Sequence, residues 1–130
     1  MDLSTVRTGL AAISITGLDT AAFIPDAIDP PLLAVGRMRI SYDKAMRGLQ
    51  EVEITLHAFS SRADSQQGQD DLLPYMTESG ATSVKAVIEA DKTLGGACQT
   101  LRVESCEGPG LSDVGGIQFW SSTWTVRVWG

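Results

Sequence analysis

Residues 49–60 read LQEVEITLHAFS. Val52, Ile54, Leu56 and Ala58 alternate with Glu51, Glu53, Thr55 and His57. A period of two belongs to a β-strand, whose successive side chains point to opposite faces. One face of this strand is core, and the other is wet or meets something else.

Just upstream, Leu33 to Tyr42 reads as a second strand. The alternation puts Ala34, Gly36, Met38 and Ile40 on one face and Val35, Arg37, Arg39 and Ser41 on the other. Lys44 to Gly48 is a charge-rich turn, too short to hold a crossover helix. The two strands are therefore expected to form an antiparallel hairpin. Arg37 and Arg39 then oppose Glu51 and Glu53. Exposed, such pairs contribute about 0.2–1 kcal/mol each. This face is read either as a solvated charged surface or as one that meets another subunit.

Working outward, Asp2 to Ser14 reads as a helix, capped by Asp2 or Ser4, with Leu3, Val6, Leu10 and Ile13 on one side. Residues 16–32 read as a loop holding Pro25, Pro30 and Pro31. Ser61 to Glu78 reads as a second helix with a stripe of Leu72, Leu73 and Met76. Pro74 predicts a kink or a late start, and Gly80 a stop. Thr82 or Ser83 caps a short third helix that buries Val84, Val87 and Ile88. Gly95 and Gly96 allow a sharp reversal into a strand over 97–105. Residues 107–116, EGPGLSDVGG, read as a long flexible loop. The last strand spans Ile117 to Trp129, with Trp124, Val126 and Val128 on one face and Thr125, Arg127 and Trp129 on the other. Two hairpins separated by helices predict a single α+β domain over residues 1–130. Its expected form is a mostly antiparallel four-stranded sheet with helices packed on one face.

The chain has 130 residues, enough for one domain with its own core. Its formal charge is −6. That balance argues against phosphate-backbone and sequence-specific nucleic-acid binding, which use clustered Lys and Arg. Cys98 and Cys106 are the only cysteines, and His57 is the only histidine. A zinc site takes about four such ligands, so no metal is expected. The thiols are read as idle in a reducing compartment, with a disulfide open only to facing strands. No apolar run reaches 18 residues, and residues 1–15 lack a basic, cleavable leader, so a soluble, cytoplasmically made protein without membrane contact is expected.

GxSxG, HExxH, Walker A and GxGxxG patterns are missing. Gly108, Gly110, Gly115 and Gly116 lead into no helix and precede no suitably spaced lysine, so they are not a phosphate loop. Asp70 and Asp71 are neighbours and point apart on a helix. The expectation is a non-enzyme without cofactor. Trp120, Trp124 and Trp129 crowd the final strand, and aromatics of this kind recur at interfaces. Arg37, Arg39, Glu51, Glu53, Arg127 and Trp129 are the candidate interface residues.

The run GATSVKAVIEADKTLGGACQTLRVES (80–105), followed by FWSSTWTVRVWG (119–130), resembles the tail terminator proteins of long-tailed bacteriophages, also called tail completion or minor tail proteins. ADKTLGG, at 90–96, is its most specific part. The resemblance extends over nearly the whole chain. It implies an α+β fold and a hexameric ring of copies on the head-proximal end of the tail tube. Such a ring stops tube growth and offers the head-joining surface. The implied partners are the tail tube protein and a head–tail connector protein, in a virion assembled in the host bacterial cytoplasm. In such a ring the loops at 43–48 and 107–116 are expected to face the tube or the lumen, and an acidic lumen suits passage of DNA because like charge limits sticking. The family brings no catalytic residue. The competing readings are another head–tail connector, a tail tube subunit, and a small binding domain unrelated to phages.

Overall fold

The computed structural model describes residues 2–15, 17–41, 50–62 and 66–130. The expected turn at 44–48 lies outside them. Helix α1 spans Leu3–Ala11. It starts where the Asp2 carboxylate accepts the Ser4 N–H at 3.0 Å, and it buries Val6 and Leu10. Strand β1 (Asp19–Ala21) follows, then β2 (Leu32–Ser41) and β3 (Glu51–Arg62). Helices α2 (Gln67–Met76) and α3 (Val84–Glu89) come next, then a 3₁₀ turn at Leu94–Gly96. Strands β4 (Thr100–Val114) and β5 (Ile117–Trp129) close the chain.

The order across the sheet is β1-β2-β3-β5-β4. β1 lies parallel to β2, and the other three pairings are antiparallel. The fold is α+β, and the sheet is five-stranded and mixed where four antiparallel strands were expected. The extra strand is three residues long, within the stretch read as a loop. Too short to carry a period, it is held from outside: Thr20 Oγ1 donates to the Ala11 carbonyl at 2.6 Å, and Asp19 N–H donates to Pro31 O at 3.3 Å.

Residues 107–114 are not a loop. β4 runs on to Val114, and Gly115 and Gly116, with φ of +62° and +82°, make the two-residue turn into β5. Asp113 Oδ1 accepts the Gly116 N–H at 3.1 Å. Register shifts between Val103 and Ser105 and between Glu107 and Gly110 absorb the residues that do not fit the ladder.

A second correction concerns β2. A register shift between Val35 and Met38 breaks the expected alternation. Val35 therefore joins Met38 and Ile40 on the core side, not Arg39. Gly36 sits at the shift because a Cβ there would lie 2.6 Å from His57 Cδ2 and 2.9 Å from the Thr55 carbonyl oxygen.

Helix α2 starts late because Ser61 and Arg62 complete β3. Leu72 is buried, but Leu73 is 49% exposed and leaves the expected stripe. The helix ends at its C-cap, Thr77, ahead of Gly80. Gly68 brings α2 onto the sheet: its carbonyl accepts from Ser60 Oγ at 2.6 Å, and a Cβ would meet Ser61 Oγ at 2.1 Å and Trp120 Cδ1 at 2.8 Å. Alanine gains up to about 1 kcal/mol in helix propensity over glycine. Overpacking against a rigid indole costs about 1–3 kcal/mol. Gly68→Ala is thus expected to lower the denaturant midpoint, and an unchanged or raised midpoint would refute the close approach.

α3 begins at Ser83, which is fully buried; its Oγ accepts the Ala86 N–H at 3.1 Å and donates to Thr77 O at 2.5 Å. In the next turn Asp91 accepts N–H groups from Thr93 at 3.2 Å and Gly95 at 2.9 Å. These bonds hold its carboxyl below the usual range, the Thr93 hydroxyl being the largest influence.

The main core lies between the helices and one side of the sheet. Val6, Leu10, Leu72, Val84 and Ile88 meet Val52, Ile54, Leu56, Trp124, Val126 and Val128 there. All three helices sit on this side. On the other side a small cluster of Leu32, Ala34, Phe59 and Phe119 is packed by Ala21, Ile28 and Val114. The rest of that side carries the polar side chains of β2 to β5.

Candidate functional site: the open sheet face

All six residues singled out from the sequence fall on β2, β3 and β5, and alternation puts Glu51, Glu53, Arg127 and Trp129 on the side away from the helices. One register row crosses four strands as Arg39, Glu53, Arg127 and Arg102. The next row is Ser41, Glu51, Trp129 and Thr100. Arg127 and Arg102 stand directly opposite each other, a destabilising arrangement of like charges. Glu104 resolves it. It is the extra residue of the β4 register shift, and one of its oxygens receives Arg102 Nη2 at 3.2 Å. Arg127 Nε and Nη2 grip the same carboxylate at 2.7 and 3.1 Å.

Arg127 is the hub of this face. Besides Glu104 it donates to Glu51 through Nη1 and reaches Glu53 at 3.5 Å. Its side chain is 21% exposed, beside a Glu51 that is 12% exposed. These carboxylates hold its guanidinium charged far above any working pH, Glu104 first and Glu51 second. The same contact, with Arg102 adding to it, holds the Glu104 carboxyl below its ordinary value.

The expected pairing of Arg37 and Arg39 with Glu51 and Glu53 is corrected here. The register sets Arg39 against Glu53 but Ser41 against Glu51, and Arg37 falls in the β2 shift. Both carboxylates turn instead toward Arg127, on the neighbouring strand between β3 and β4. Arg37 and Arg39 are exposed, and neither makes an ion pair among the described residues. With Glu53 and Thr55 they line a hollow of about 250 Å³.

Trp129 is half-buried, and the Arg102 guanidinium lies 6.0 Å from its ring centroid, within cation–π range. Its carbonyl accepts the Gln99 N–H at 2.8 Å. Sequence reasoning missed Arg102 and Glu104. The signal for Arg102 was its place in the alternation with Leu101 and Val103; Glu104 had none, because a register shift does not show in a hydrophobic pattern.

The remaining chemical groups are packed. His57 is half-buried, with its ring stacked on Phe59 at 6.2 Å, and burial pushes its pKa down, so it is neutral at pH 7. Cys98 and Cys106 are unpaired thiols. Burial, helped by the Glu107 charge, pushes Cys106 up to about 11, and burial raises Cys98 as well. Thiols held protonated in this way are weak nucleophiles. Among the described residues no group of three or more His, Cys, Asp or Glu is placed to hold a metal ion, and no helix is long and apolar enough to cross a membrane. On the helix side a groove of about 570 Å³ runs along α2, lined by Ser60, Gln67, Asp70, Asp71, Tyr75 and Thr82 among others. Burial, and then the Asp71 charge, raise the Tyr75 phenol. No protein-family model matches the chain, and no curated protein matches it.

Proposed function

We propose that this chain is a structural virion protein that forms a hexameric ring on the head-proximal end of a phage tail tube, ends tube growth and presents the surface that joins the head. One observation supports the ring: the two sides of the molecule are unlike. Helices cover one side of the sheet, and the other carries a charged open face. A closed ring uses two different patches on every copy, which is a heterologous contact. The sheet also has edges to cover. β1 pairs with β2 only from Leu32 to Ala34, so the outer edge of β2 from Val35 to Ser41 is unpaired among the described residues. Uncovered edges recruit strands indiscriminately unless a neighbour or a device shields them. The tail assignment itself comes from the resemblance of residues 80–105 and 119–130.

Electron microscopy of the purified chain at high concentration, with native mass on the same sample, tests this. Closed rings of six subunits are expected. Long tubes would move the assignment to a tube subunit. A monomer that also fails to bind purified tail tubes would end the proposal.

A further inference from the structure

We propose that the Arg37–Arg39 face of one copy docks onto helix α2 of the next copy, with Asp70 and Asp71 as the receiving carboxylates. The contact rests on the reading that copies of this chain assemble. Each chain carries a charge of −6, so two copies repel unless a basic patch meets an acidic one. Arg127, Arg102 and Lys85 are already held by Glu51, Glu104 and Glu89, and Arg7, Arg62 and Lys92 stand singly on α1, at the end of β3 and after α3. Arg37 and Arg39 are exposed, are held by no carboxylate among the described residues, and stand together at a hollow on the uncovered part of β2.

The complementary feature is on the opposite side of the molecule. Asp70 and Asp71 are the one adjacent pair of like charges in the chain, both are exposed on α2, and, where neighbours on a helix were expected to point apart, both line the same groove. Gln67 Nε2 steadies Asp71 at 3.1 Å. Leu73, 49% exposed beside them, offers an apolar anchor, and no basic residue lines the groove behind it. A neighbouring helix laid along the free β2 edge is also a standard way to shield such an edge. Because the two patches lie on opposite sides, the contact runs head to tail and can close into a ring.

The test exchanges charges on the full chain. One variant carries R37E and R39E; a second carries D70K and D71K. All four positions are exposed, so circular dichroism and melting should match the parent. A third variant, D71K alone, leaves Asp70 in the first turn of α2 in case that helix start is sensitive. Native mass and sedimentation are read for each. The parent is expected to assemble. R37E/R39E and D70K/D71K should each fall to monomer, with association at least about tenfold weaker, since like charges facing each other at a contact cost heavily. Mixed together, they should assemble with the two variants in equal numbers, because each reversed patch then meets its reversed partner.

Either double variant assembling like the parent, or a mixture that stays monomeric beside an assembling parent, would overturn the contact. A parent that stays monomeric up to about 1 mM would overturn it too. That last result leaves the tail reading standing if the chain still binds purified tubes, so the two failures are distinguishable.

Discussion

Replacing Trp124 with alanine is expected to lower the stability of this protein by about 3–5 kcal/mol. Trp124 is 1% exposed on β5, which lies between β3 and β4. It stands opposite Leu56 on one neighbour and Cys106 on the other, under the helix layer. No other fully buried side chain is as large among the described residues. Its removal loses transfer free energy and leaves a cavity that flanking strands cannot collapse into. A domain of this size has only about 5–15 kcal/mol in total, so the variant stands close to unfolding at 37 °C. Trp124→Phe keeps most of the volume and should lose much less. Urea unfolding followed by circular dichroism measures both. A loss below about 1 kcal/mol for the alanine variant would place the indole outside the core.

The second large effect is expected at Arg127. Arg127→Leu leaves Glu51, Glu53 and Glu104 clustered without their shared cation and Arg102 alone beside Glu104. Removing one partner of a fully buried pair costs about 3–5 kcal/mol, and the partial exposure here reduces that to about 1–3 kcal/mol. The loss should depend on pH in a fixed direction. In the folded protein Arg127 holds the Glu104 carboxyl below its ordinary value of 4.5. As pH falls the unfolded chain takes up that proton first. The stabilisation is therefore complete above about pH 4.5 and is lost as pH drops through the depressed folded value. His57 also favours unfolding below its ordinary value of 6.5, since burial lowers its folded pKa, but it does so equally in parent and variant. The difference between the two proteins should be largest near neutrality and shrink below pH 4.5. A gap that widens in acid would contradict the assigned contacts.

The regular strands were legible because their pattern carries a period. Val52 to Ala58 and Trp124 to Val128 alternate without interruption, and both are central strands with one buried face. The opposite parity of the same residues placed Glu51, Glu53, Arg127 and Trp129 together. What was hidden are the places where pairing overrides local preference. Gly108, Pro109 and Gly110 favour a loop, yet the ladder to β5 carries β4 past them by taking up a register shift. Shifts at Gly36–Arg37 and at Glu104 reverse the parity, so Val35 turned inward and the central acid of the arginine cluster went unseen. β1 exists only because Thr20 and Asp19 are bonded to distant carbonyls. Arg39 does stand opposite Glu53, but the expected ion pairs of Arg37 and Arg39 do not form, for a related reason: sequence spacing says which charges share a hairpin, not which neighbour on the third strand competes for them.

The small cluster of Leu32, Ala34, Phe59 and Phe119 sets a limit on cooperativity. It lies across the sheet from the main core and is packed by Ala21 and Ile28 of the 21–31 segment and by Val114 of β4. That segment is secured by a three-residue strand and by little regular structure of its own. Such a region opens at a free energy well below that of global unfolding. The protein therefore has two levels of opening: a local one, in which the 21–31 segment lifts and wets Phe59 and Phe119, and a global one, in which the helix layer leaves the sheet. The charged open face survives the first, since Arg127 and its carboxylates are anchored on β3, β4 and β5 at the other end of the strands from Phe59 and Phe119.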